Sequence, residues 1–184
     1  SYVCVVDLDD VLNINFNRET ILNSIEKLED NKNKYFAISS KSKPYYYDIL
    51  NFSTEELRDL QIIDIQSQRN FSSYYYRKKY IYNNQVKFTK KTDFDAISAF
   101  NGMCIYLFKD FLQGNYFYYN EKKVVPEHLR LNKEIFNKTN RKILVSNDII
   151  LNTPIEHLPS KNILDFIITK IIKYFKIIYN KIHE

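Results

Sequence analysis

Asp7-Leu8-Asp9-Asp10 places three carboxylates within four residues, directly after the apolar run Tyr2-Val3-Cys4-Val5-Val6. Carboxylates at i and i+2 beyond a strand can converge on one Mg²⁺ or Mn²⁺, directly or through water, leaving open positions for phosphate oxygens. Asp7 and Asp9 are the candidate metal ligands, with Asp10 a weaker third, and a solvated acidic turn is the alternative. Phe100-Asn101-Gly102 is an apolar segment broken by an amide and one of only two glycines. Backbone can approach a sugar closely there while Asn101 hydrogen-bonds its hydroxyls; a plain turn is the alternative. Tyr46 and Tyr47 with Asp48 can stack on and hydrogen-bond a sugar or base, although a tyrosine-rich loop packed on the core explains them too. Glu127-His128, after Val124-Val125-Pro126, pairs an acid with an imidazole.

These residues need a scaffold. The run 2–6, rich in β-branched residues, reads as a buried strand, so its acids sit at a C-terminal strand end, the edge where open α/β sheets bind ligands. From Arg18 to Leu28, Ile21, Leu22, Ile25 and Leu28 recur at three and four as a helical stripe, and Tyr35 to Ile38 gives a second strand. Ser53-Thr54-Glu55-Glu56 has capping-box character and opens a helix toward Ile65. Residues 69–93, polar, basic and Tyr-rich, read as a long loop over the active face. Further apolar runs follow at 100–108, 116–119 and 142–145.

From Asn162 to Ile182 the apolar residues form a wide helical stripe, with Lys170, Lys173, Lys176 and Lys181 opposite or flanking it. Two readings stand: a helix packed on the domain, or a basic amphipathic helix lying on an anionic membrane surface.

Composition sets outer bounds. The 184 residues, 45% hydrophobic and 16% aromatic, suffice for one globular core without disulfides. Cys4 and Cys104, both in apolar runs, read as core residues of a protein in a reducing compartment, the cytoplasm. The net charge of +5 is spread along the chain, which excludes a dedicated nucleic-acid arm and suits a phosphate-bearing small ligand. No run of 18 apolar residues and no secretory leader is visible, and the opening Ser1 suggests a fragment.

Two family resemblances meet on these motifs. A strand followed by Asp-x-Asp-x-Val-Leu, here Asp7 to Leu12, resembles the first motif of haloacid-dehalogenase-like phosphatases, with Asp7 as nucleophile and Asp9 as general acid and base. Ser39 or Ser40 and Asp148 fall in the order that family expects. The ordered set Asp7-x-Asp9, Tyr46-Tyr47-Asp48, Phe100-Asn101-Gly102 then Ile105-Tyr106, and Glu127-His128 resembles GT-A-type glycosyltransferases, in particular capsule-type and giant-virus members, over residues 3 to about 152.

The second resemblance implies an α/β fold, a mixed, mainly parallel sheet flanked by helices, of the nucleotide-diphospho-sugar transferase type. It implies a catalytic domain over 1–160, lacking the N-terminal strand-helix-strand unit, and a C-terminal amphipathic helix over 161–184. The activity implied is metal-dependent transfer of a sugar from a nucleoside diphosphate sugar to an acceptor hydroxyl on a glycan or protein, in the host cytoplasm or virion for a viral member. Under it, Asp7, Asp9 and His128 hold the Mn²⁺ or Mg²⁺. Tyr46, Tyr47, Asn101, Gly102 and His128 contact substrate, and Glu127 and Asp48 are the candidate bases.

Overall fold

The computed structural model describes residues 1–8, 17–57, 73–116, 125–160, 162–168, 171, 172 and 175. Five strands form one sheet: β1 (Tyr2–Val6), β2 (Tyr35–Lys43), β3 (Phe94–Ala96), β4 (Met103–Leu107) and β5 (Lys142–Asn152), in the order β1-β4-β2-β5-β3. Helices flank it, so the α/β class holds. The sheet is not mainly parallel: only β2 and β5 pair in parallel, while β1 with β4, β2 with β4 and β3 with β5 are antiparallel. The strand-helix-strand start exists, but β4 returns between β1 and β2 and breaks the parallel order.

That insertion also corrects the reading of the first strand. β1 is an edge strand, and its Cys4 is exposed, whereas Cys104 in β4 is buried. A continuous apolar run reports faces that can be covered, not how many neighbours the strand has.

Alternation along β4 builds two cores. Cys104 and Tyr106 face a layer with Phe36, Phe52, Phe88, Phe100, Leu131 and Ile135. Met103, Ile105 and Leu107 face the other layer, with Leu28 of helix α1 (Arg18–Asp30), Tyr35 and Leu144. α1 begins where the Asn17 side chain accepts the Thr20 N–H at 2.8 Å, which satisfies one of the orphan donors of the first turn.

The expected loop over 69–93 is instead helical over 73–90. Helix α2 runs Ser73–Tyr76 in α geometry, Arg77–Tyr82 with π-helical bonding and Asn83–Lys90 in α geometry again. Its buried residues Tyr74, Ile81, Gln85 and Phe88 fall seven, four and three apart, a helical period that the surrounding exposed tyrosines and lysines hide. Residues 53–57, expected to open a helix, are not themselves helical, although Thr54 makes the i to i+3 side-chain bond of a helix cap. Ser53 bridges to Ser98, and Thr54 and Leu57 close a turn through Thr54 N–H to Leu57 O (3.1 Å) and Leu57 N–H to Thr54 Oγ1 (3.1 Å). Residues 58–65 of that expected helix, and 117–119 of the expected strand 116–119, lie outside the described residues.

Helix α3 (Phe108–Phe111) follows β4, and helix α4 (Glu127–Thr139) ends at Asn140, which adopts the left-handed conformation (φ 54) that closes the last turn. α4 lies close against Gly114: a Cβ there would stand 2.4 Å from Leu131 Cδ1 and 3.0 Å from Ile135 Cγ1. Both partners are fully packed in the core, so Gly114→Ala is expected to destabilise the protein by about 1–3 kcal/mol in urea or thermal unfolding. An unchanged midpoint would show that Leu131 repacks freely. The C-terminal helix, α5, is helical at 163–168 and at 171, 172 and 175.

Candidate functional site

β1, β2 and β5 run the same way, so the C-terminal ends of β1 and β2 and the turn entering β4 share one edge of the sheet. The turn Phe100-Asn101-Gly102 is held there by its backbone and by β2. Asn101 (φ 51) and Gly102 (φ 88) both occupy left-handed conformations. The Ser39 hydroxyl donates to Phe100 O at 2.8 Å and the Ser40 hydroxyl to Asn101 O at 2.7 Å. The Asp7 N–H donates to Gly102 O at 2.9 Å, tying the end of β1 to the same turn.

Asn101, fully buried, is the centre of the arrangement. Its Oδ1 accepts the N–H groups of Tyr47 (3.2 Å) and Asp48 (3.3 Å) and lies 3.2 Å from the Ser42 hydroxyl. Asp48 Oδ2 in return accepts the Asn101 N–H at 3.1 Å. The Asn101 Nδ2, also buried, has no hydrogen-bond partner among the described residues, an uncompensated donor at the edge where the acids gather.

Tyr47 continues the link. Its hydroxyl donates to Asp7 Oδ2 at 3.4 Å, and its ring lies 5.1 Å from that of His157, a residue given no role by sequence reasoning. Asp48 Oδ1 accepts from Asn51 Nδ2 at 2.9 Å, and Asn51 Oδ1 accepts the Leu129 N–H of α4 at 3.1 Å. Asn51 thus joins the Asp48 loop to the helix that carries Glu127 and His128. Asn51 and Ser42 were missed; the only trace of either is the i to i+3 spacing of Asp48 and Asn51.

The predicted residues therefore divide. Asp7, Tyr47, Asp48, Asn101 and Gly102, drawn from three distant segments, come together. Tyr46 does not join them: it is fully buried, its ring edge-on to Phe52 (5.2 Å) and Phe88 (6.3 Å), which corrects the expectation that it stacks on a ligand. Tyr46 packs in one core layer and Tyr47 in the other, and of the two it is Tyr47 whose hydroxyl reaches Asp7. Asp9 and Asp10 lie outside the described residues. Among the described residues no three His, Cys, Asp or Glu side chains group closely enough to hold a metal ion.

Comparison with protein-family models, with curated proteins and with solved structures found no match.

The chemistry of the site accordingly rests on its own electrostatics. Burial pushes the Asp48 carboxyl up to about 6, and the nearby negative charge of Asp7 pushes the same way, against the hydrogen bonds from Asn51 and the Asn101 backbone. Two carboxylates that repel across a partly buried edge match the oxygen-rich, negatively charged surroundings a hard divalent cation prefers.

His128 is held differently. Its ring stacks on Phe100 at 3.6 Å between centroids and 9° between planes, with Tyr116 Oη 3.3 Å from Nδ1. Glu127, mostly solvent-exposed, stands 3.6 Å from Nε2. Burial drives the imidazole down to about 4, so it is neutral at pH 7. The folded value lies below the ordinary 6.5, so this contribution to stability is present above pH 6.5 and is lost as pH falls toward 4. Asp48, shifted upward, opposes it over much of the same range, and the wild-type curve alone hides both. Compared with His128→Gln, the wild type is expected to lose about 3 kcal/mol between pH 6.5 and pH 4 in urea unfolding. A difference that stays constant across that range would mean the imidazole is not held neutral.

Of the residues that would serve a phosphatase, Ser39 and Ser40 hold the turn of this same edge, and Asp148 belongs to an ion cluster. Ser39 and Ser40 are fully buried, their hydroxyls donated to the turn carbonyls. Asp148 sits where β5 departs from its register with β2 between Val145 and Ile150. It accepts from Lys27 Nζ at 2.7 Å and from the Ser146 hydroxyl at 2.9 Å, and the hydrogen bond from Lys27 holds its carboxyl below the usual range. Asp93 completes that ion cluster at 2.5 Å from Lys27 Nζ.

Proposed function

We propose that this chain carries the catalytic edge of a divalent-metal-dependent glycosyltransferase of GT-A type, using a nucleoside diphosphate sugar and an acceptor hydroxyl on a glycan or protein. The observation that supports this most is the convergence of Asp7, Tyr47, Asp48, Asn101 and Gly102 on one sheet edge, in the order and company the Asp-x-Asp resemblance implies.

Asp7, with Asp9, would hold the Mn²⁺ or Mg²⁺, which when bound neutralises the departing diphosphate. The chain's own residues do the rest. The left-handed backbone at Asn101 and Gly102 lets a sugar approach closely, and the spare Asn101 Nδ2 donor is matched to a sugar hydroxyl. Tyr47 offers its hydroxyl beside Asp7. Asp48, with its carboxyl raised to about 6, is deprotonated at pH 7 yet basic enough to take the proton of an acceptor hydroxyl. Glu127, solvated at the start of α4, is the second candidate for that proton, and neutral His128 beside it can hydrogen-bond the diphosphate or sugar.

The haloacid-dehalogenase-like alternative, with Asp7 as nucleophile, has less support, because Ser39, Ser40 and Asp148 are engaged in packing and ion pairs. Calorimetric titration with a panel of nucleoside diphosphate sugars, with and without Mn²⁺, separates the two. Metal-dependent binding of one donor is the expected result. No binding, together with hydrolysis of a generic phosphate ester, would favour the phosphatase.

A further inference from the structure

We propose that the C-terminal helix α5 is a docking element for an anionic membrane surface, lying in the headgroup plane with its apolar stripe turned down. The stripe consists of Leu164, Ile167, Ile168, Ile171 and Ile172, recurring at three and four, and all five are exposed, from 45% for Ile167 to 67% for Leu164. A helix packed on its own domain would bury that stripe. α5 instead attaches through Phe166, only 8% exposed, whose ring lies 5.5 Å from that of Tyr74 in α2. Phe166 falls outside the stripe, so the contact that anchors the helix leaves the apolar face outward.

Charge identifies the occupant. In the sequence Lys170, Lys173 and Lys176 follow Phe166 at intervals of four, three and three, and Lys181 comes after them. No acid occurs from Phe166 to His183, within a chain of net charge +5. Residues 163–182 combine this apolar stripe with four lysines against one acid, Asp165, a composition complementary to a surface that is greasy inside and negative at its rim, a bilayer containing anionic lipids. A second copy of the chain would bring the same positive charges against each other. Lys170, Lys173, Lys176 and Lys181 interrupt the segment, which has no run of 18 apolar uncharged residues, so the contact is with the surface.

The test uses the full chain and sedimentation with phosphatidylcholine vesicles, with and without phosphatidylserine, at low and high salt. Binding is expected only to the anionic vesicles and is expected to weaken with salt. The double substitution Ile168→Asp with Ile172→Asp, and separately Lys170→Gln with Lys173→Gln and Lys176→Gln, should each weaken partitioning about tenfold or more without moving the melting temperature. The substituted isoleucines are exposed and leave Phe166 in place, so the fold is retained. Failure to bind either vesicle overturns the proposal, as does binding that survives either substitution set. Concentration-dependent self-association without lipid binding would also overturn it, assigning the stripe to a second copy.

Discussion

Asp7→Asn is expected to lower metal-dependent affinity for a nucleoside diphosphate sugar by about a hundredfold or more, and to remove transfer with it. The substitution keeps the size of the side chain and an acceptor for the Tyr47 hydroxyl, and leaves the Asp7 N–H bond to Gly102 O untouched. The melting temperature should therefore move by no more than about two degrees. Removing the charge also relieves Asp48, whose carboxyl Asp7 helps to raise, so the variant's Asp48 should titrate lower. Titration calorimetry with and without Mn²⁺ reads the affinity. Undiminished metal-dependent binding in this variant would remove Asp7 from the metal site.

The largest loss of stability is expected at Asn101. Asn101→Ala deletes the acceptor shared by the Tyr47 and Asp48 N–H groups and the Ser42 hydroxyl, and puts a non-glycine, non-asparagine residue at φ 51. Orphaned buried donors and left-handed strain together amount to about 4 kcal/mol. Asn101→Gly keeps the lost hydrogen bonds lost but relieves the backbone, and should recover about 1 kcal/mol of that. Urea unfolding of the three proteins measures both. Equal stability of wild type and Asn101→Ala would mean that the amide does not organise the turn.

Where local pattern and tertiary placement agree, sequence reading works well here. α1 has its stripe and its Asn17 cap, β2 and β5 have their apolar runs, Asp7 stands where β1 ends and Asn101 in the turn that enters β4. The failures share a cause. Whether β1 is central or at an edge, and whether β4 inserts between β1 and β2, depends on pairing partners far away in the chain, which a five-residue run cannot encode. In α2 the buried positions are only four among many exposed aromatic and basic residues, so the helical period is diluted. Tyr46 and Tyr47 are identical in type and adjacent, and only the path of the loop decides which core layer each enters and that it is Tyr47 whose hydroxyl reaches Asp7. Asn51 leaves only its i to i+3 spacing with Asp48, because the other half of its role is a bond to α4 across 78 residues of sequence.

The most direct test is the effect of substoichiometric Mn²⁺ on backbone amide resonances of the protein in the presence of a nucleoside diphosphate. Paramagnetic broadening falls off steeply with distance, so it locates the ion without any assumption about turnover. The account predicts selective loss of the Asp7, Tyr47, Asp48, Asn101 and Gly102 signals, and recovery of those signals in Asp7→Asn. Broadening centred away from this edge, or none at any residue, would contradict it.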